Sequence, residues 1–176
     1  MAEEPELPEE AAARPAGWQR WRAWLLSRPM GVRWTACAVH LGLIAVLSLL
    51  PSSAFPGALT RIPGASTLMH VLLYGGLGAL LRWALHQSPA AAAGHGAGLA
   101  PRQSPRHGAG QALALAFAFG YGLAMECLQS LFAGGSRVFG WDDVAANAAG
   151  AVLFWFLAGR LLTPLTAAMR PDMFDS

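Results

Sequence analysis

Between Ala11 and Pro171 the chain carries only three acidic residues, and all three lie in one stretch, Gly120–Gly150 (GYGLAMECLQSLFAGGSRVFGWDDVAANAAG). Glu126 and Gln129 stand near the end of an apolar run that begins at Ala112. Arg137 sits in the short loop that follows, and Asp142, Asp143 and Asn147 open the next apolar run. A carboxylate inside a membrane-sized apolar segment must pair, hydrogen-bond or stay protonated. Glu126 is therefore a candidate general base, with His70 as its partner. It is equally a candidate proton relay, or one half of a structural pair with Arg137. Arg137, lying next to the free backbone N–H groups at a helix start, can hold an anion. No nucleophile or phosphate loop accompanies these residues. His95 and His107 fall in an Ala/Gly-rich linker, where ligands lack the fixed geometry a metal needs. Neither a metal site nor a cofactor is expected.

The elements that position these residues follow from hydropathy. Of the 176 residues, 55% are hydrophobic and 12% charged, and the mean hydropathy is positive. That is too apolar for an ordinary soluble domain and fits a small all-α integral membrane protein. Four runs are long enough to span: about 34–50, 66–85, 112–132 and 144–162. A cleavable signal is the competing reading of the first run, since Ser52–Ala54 offers small residues after it; its lead is long for a signal. Residues 1–15 are acidic and Pro-rich and read as a disordered tail. Residues 16–33 mix Trp18, Trp21 and Trp24 with Arg20, Arg22, Arg28 and Arg33, which suits a headgroup interface, as a short interfacial helix or as a basic lead-in to the first span. Residues 87–110 read as a flexible linker and 163–176 as a polar tail. The four runs form one domain without internal repeats.

All twelve basic residues are Arg. With both termini cytoplasmic, only Arg61 and Arg137 fall outside, a strong positive-inside asymmetry. No basic stripe interleaved with aromatics marks a nucleic-acid surface. In this orientation His70 and Tyr74, Glu126 and Gln129, and Asp143 and Asn147 all lie in the outer halves of their spans. At ~1.5 Å per residue, His70, Glu126 and Asn147 come about 6–9 Å below the boundary. His70/Tyr74 are spaced i,i+4, Glu126/Gln129 i,i+3, and Asp143/Asn147/Gly150 i,i+4,i+7, so each set shares a helix face. Gly122 and Gly150 remove bulk where helices approach.

Blander roles stand beside these. Asp142 reads as the N-cap of the last helix. Asn147 and Gln129 can be interhelical hydrogen-bonding glue, and Tyr74 a packing aromatic. His40, within the first span, is expected to hydrogen-bond inside the bundle, and Arg82 and Arg160 to snorkel toward headgroups. Cys37 and Cys127 differ in depth by roughly half a membrane, too far for a disulfide, and are expected free.

Together these residues resemble the VanZ-like family of small bacterial membrane proteins. The family pattern is a His with an aromatic one turn later, then Glu-x-x-Gln, an Arg, an Asp six residues on, an Asn four further and a Gly three beyond. Here these are His70, Tyr74, Glu126, Gln129, Arg137, Asp143, Asn147 and Gly150. The resemblance covers about Trp34–Gly159. Ser66 and Thr67 stand where family members often carry Asp-Lys, and Gly140 replaces a polar residue common between the Arg and the Asp. The resemblance implies a multi-pass protein of the bacterial inner membrane with a role in the cell envelope. The family's namesake is associated with teicoplanin-type glycopeptide resistance.

Three functions fit the residues. The first is a non-enzymatic protein that binds a lipid or lipid-linked head group at the outer leaflet through His70, Tyr74, Glu126, Gln129, Arg137, Asp143 and Asn147. The second is a membrane-embedded enzyme on such a lipid, using Glu126 and His70. The third is a small proton-coupled transporter, which four spans without inverted repeats support less well.

Overall fold

Apolar runs bounded by Pro and Gly fold here as helices because, away from water, a helix satisfies its own backbone polar groups. The computed structural model describes residues 17–51, 54, 63–86, 105–132 and 139–163, with side chains from 108 onward in the fourth of these segments. Five helices appear: α1 Gly17–Leu26, α2 Met30–Leu49, α3 Ala65–Ala84, α4 Pro105–Phe132 and α5 Trp141–Leu162. Among the described residues there is no strand. Three segments among the described residues are long and apolar enough to cross a membrane: Met30–Leu49, Gly108–Phe132 and Trp141–Leu162. Helix α3 has 20 residues as well, but His70, three glycines and Arg82 interrupt its apolar character. Those residues serve packing: α3 touches α2, α4 and α5, and lies closest against α5.

The fit of α3 to α5 depends on two glycines, each of which faces the backbone of the opposite helix. A Cβ on Gly78 would run into the Ala151 carbonyl, and one on Gly150 would run into the Val71 carbonyl. Around this seam the core gathers Cys37, Ile44, Tyr74, Leu77, Leu81 and Trp155. His40 lies alongside, its Nε2–H donating to the Leu73 carbonyl at 2.8 Å, as its place inside a span predicts. Tyr121 ties α4 to α2 through its hydroxyl, which donates to the Leu41 carbonyl at 2.8 Å. Cys37 is buried, Cys127 exposed, and both are free thiols.

One end of the bundle is built by arginine. Arg33, 5% exposed, donates to the carbonyls of Leu26 (2.6 Å), Arg28 (3.0 Å) and His86 (2.7 Å). Its guanidinium thus takes up carbonyls left open where α1 and α3 end. Trp83 Nε1 donates to the Leu25 carbonyl, and Arg22 Nε to that of Leu162. The ends of α1, α3 and α5 therefore meet the start of α2, and the helices alternate in direction.

Several boundaries differ from the sequence reading. Helix α2 begins at Met30, after Pro29, and takes in residues assigned above to the interfacial segment; the charge of Arg33 is absorbed by carbonyls and does not end the helix. The interfacial segment does contain a helix, α1, with Trp18, Trp21 and Trp24 all exposed. Helix α4 starts at Pro105, inside the stretch read as linker; proline is well suited to a first helical position, where no N–H partner is needed. Asp142 is not the N-cap of α5. Gly140 holds that position in an extended conformation without a side-chain cap, and Asp142 and Asp143 lie in the first turn, where their charge favours the helix dipole. Arg160 is exposed, whereas Arg82 is half-buried and lies over the Trp155 ring, 5.3 Å from its centroid, so stacking on α5 holds its charge close to the bundle. Residues 1–16, most of the linker and 164–176 lie outside the described residues.

Candidate functional site

The start of α3, the last turns of α4 and the start of α5 meet at the end of the bundle opposite the arginines. His70, Glu126 and Asn147 project from these three helices into one buried cluster, with Glu126 and Asn147 each 2% exposed. His70 Nδ1 lies 2.9 Å from Asn147 Oδ1. A carbonyl oxygen only accepts, so Nδ1 carries the proton and donates. The same ring edge lies 3.7 Å from Glu126 Oε1. On the other edge, His70 Nε2 faces Asp143 Oδ1 across 3.8 Å, too far for a hydrogen bond.

The site is graded from dry to wet. The Asp143 side chain is 29% exposed and forms the outer edge, while Glu126 closes the floor. The second oxygen of Asp143, Oδ2, folds over the start of α5: a Cβ on Gly140 would lie 3.3 Å from it. Beside Glu126, Gln129 is buried at 5% exposure. Tyr74, one turn after His70, is 1% exposed and its hydroxyl has no hydrogen-bond partner among the described residues. Asn147 Nδ2 is likewise buried without one. Gly122 makes room for both side chains: a Cβ there would sit 3.1 Å from Tyr74 Cε1 and 3.3 Å from Asn147 Nδ2. Tyr74 also packs on Tyr121, ring centroids 6.5 Å apart.

Five of the seven residues singled out from the sequence thus converge, His70, Tyr74, Glu126, Asp143 and Asn147; the sixth, Gln129, is buried one turn after Glu126. The seventh, Arg137, lies outside the described residues. An open apolar groove on α2, lined by Thr35, Val39, His40 and Leu43 among others, is separate from the cluster. Sequence reasoning missed Arg33, whose carbonyl partners lie up to 53 residues away; four basic residues near three tryptophans gave no signal to single it out.

Three apolar segments of membrane-crossing length among the described residues, with an imidazole, a carboxylate and an amide buried together at one end of the bundle, define a small helical membrane protein with a buried polar cluster. The VanZ/LLP1 family model matches residues 23–162, most of the chain and all of the site, and the protein belongs to that family. Among curated proteins and solved structures, none matches the chain.

Proposed function

We propose that this protein is a four-span envelope protein of a bacterial inner membrane, with both termini cytoplasmic, that binds a lipid or lipid-linked head group in the outer half of the membrane. The observation that carries this reading is the convergence of His70, Glu126 and Asn147 from three helices, roofed by the half-exposed Asp143. Burying that many polar groups in an apolar bundle costs free energy wherever they lack a hydrogen-bond partner, and polar residues within spans mark function. Two buried donors, the Tyr74 hydroxyl and Asn147 Nδ2, have no partner among the described residues and suit the oxygens of a head group. Arg137, four residues before α5 in the sequence, would supply the positive charge for an anionic one. Tolerance to teicoplanin-type glycopeptides would follow if the head group belongs to a cell-wall precursor.

The test is binding of the purified protein to vesicles with and without anionic lipid. Arg137→Ala should weaken binding to anionic vesicles about tenfold or more, the loss of a charge-assisted hydrogen bond of roughly 1.5–3 kcal/mol, with thermal stability unchanged. Equal binding by both proteins would overturn the reading.

One observation favours a catalytic alternative. Asn147 fixes the His70 tautomer, leaving the Nε2 lone pair toward the exposed edge where a substrate proton would arrive. Under that reading Glu126→Gln abolishes turnover of a lipid-linked substrate while head-group binding persists; under the binding reading no turnover exists to lose.

A further inference from the structure

We infer that His70, Glu126 and Asp143 form a site for a first-row divalent cation of the Zn2+ type. One ligand atom from each of the three lies within 4.8 Å of the others. One imidazole nitrogen and two carboxylate oxygens, contributed by three separate helices, are the donor set such ions take, and three protein ligands leave a coordination position open. Mg2+ and Ca2+, which prefer all-oxygen surroundings, fit it less well.

The orientation of the His70 ring points the same way. Nδ1–H donates to Asn147 Oδ1 at 2.9 Å, so in the neutral ring Nε2 presents a lone pair. That lone pair faces Asp143 Oδ1 at 3.8 Å. Two acceptors at this distance, on side chains 11% and 29% exposed, repel each other unless a positive charge lies between them. The gap is too long for a hydrogen bond. It suits a metal ion bound at ~2.0–2.2 Å to each atom. Asn147 then has the role that outer-sphere carbonyls play at metal-bound histidines: it fixes the tautomer and aims the ring.

Charge gives the ion a purpose, and this step alone rests on the head-group reading. The described pocket holds two carboxylates, and an anionic head group entering it would meet repulsion. A dication offsets both, and its open position accepts an anionic oxygen from the exposed side, past Asp143.

The experiment uses the full-length protein in detergent, free of any polyhistidine tag, stripped with EDTA, dialysed and titrated with Zn2+ by calorimetry, with Mg2+ in parallel. Expected are about one Zn2+ per chain, a rise in melting temperature on adding Zn2+, and little response to Mg2+. Asp143→Asn, at a half-exposed position that tolerates an isostere, should weaken Zn2+ binding about tenfold or more, and Asn147→Ala by about 10–100-fold. Asp142→Asn, next to the site and exposed, should leave binding unchanged. The cation site is overturned if Zn2+ does not bind, or if Asp143→Asn and Asp142→Asn bind it as the unaltered protein does. Anionic vesicles are then offered with Zn2+ and with EDTA. Zn2+ binding without vesicle binding in either condition defeats the head-group reading and leaves the cation site standing.

Discussion

Asn147 is the residue on which the geometry of the cluster turns. It is 2% exposed, it accepts from His70 across 77 positions of chain, and its own amide hydrogens face the Gly122–Tyr74 side of the pocket. Removing the amide leaves a buried imidazole N–H without its acceptor, a loss of about 1–3 kcal/mol. Asn147→Ala should therefore lower the unfolding midpoint in detergent by that amount while helix content stays the same. An unchanged midpoint would mean that Glu126, 3.7 Å from the same nitrogen, takes over the bond. Helical spacing alone reveals that Asn147 shares a face with Asp143 and Gly150. It does not reveal that His70 is the partner, because a spacing rule is blind to which helix lies opposite and at what height. Depth counting narrowed the choice: His70, Glu126 and Asn147 were expected at one level, and they meet. Asp142 was misread as a cap because Asp is a favoured capping residue, while the backbone at Gly140 turns extended one position before Trp141 and starts the helix early.

The helices were legible from apolar length, and their ends less so. Runs of Leu, Ala, Val and Phe locate α2, α3, α4 and α5 within a few residues, but Arg33 looked like a boundary and the HGAG before Gln111 looked like linker. Both are helical, since a guanidinium can satisfy carbonyls from inside a bundle and a proline can begin a helix. The α3–α5 seam was only half legible. Gly150 was expected to permit close approach; Gly78, its counterpart in α3, was not singled out, because glycines are frequent throughout the chain. A decisive contrast separates seam glycines from idle ones. At Gly78 and Gly150 an added methyl meets backbone, which cannot rotate away, whereas at Gly42 and Gly120 nothing lies within 4 Å. Gly78→Ala and Gly150→Ala should each destabilise by about 1–3 kcal/mol through overpacking. Gly42→Ala and Gly120→Ala should leave stability equal or raise it by about 0.5–1 kcal/mol, the helix penalty of glycine. Unfolding titrations of the four variants decide it, and equal effects at all four positions would mean that α3 and α5 do not touch through these glycines.

At the scale of the molecule, buried and partly buried charge among the described residues is sorted to opposite ends of the bundle. Arg22, Arg28, Arg33 and Arg82 gather where α2 starts and α3 and α5 end, tied together by the bonds to Leu162, Leu26 and His86. Glu126, Asp142 and Asp143, the three acidic residues among those described, lie where α3 and α5 start. Arginines near span ends are held on the cytoplasmic side during insertion, while acidic residues have little influence. The arginine end should therefore face the cytoplasm and the His70–Glu126–Asp143 pocket the outer leaflet. This orientation decides what the pocket can meet: an outer-leaflet head group and an extracytoplasmic ion pool in one case, cytoplasmic precursors in the other. With Cys37 and Cys127 replaced by Ala, single cysteines at Ser136, before α5, and at Ser176, after it, read the orientation directly. A membrane-impermeant maleimide added to intact cells should label Ser136→Cys and reach Ser176→Cys only after permeabilisation. The opposite pattern would turn the pocket inward and exchange an envelope ligand for a cytoplasmic one.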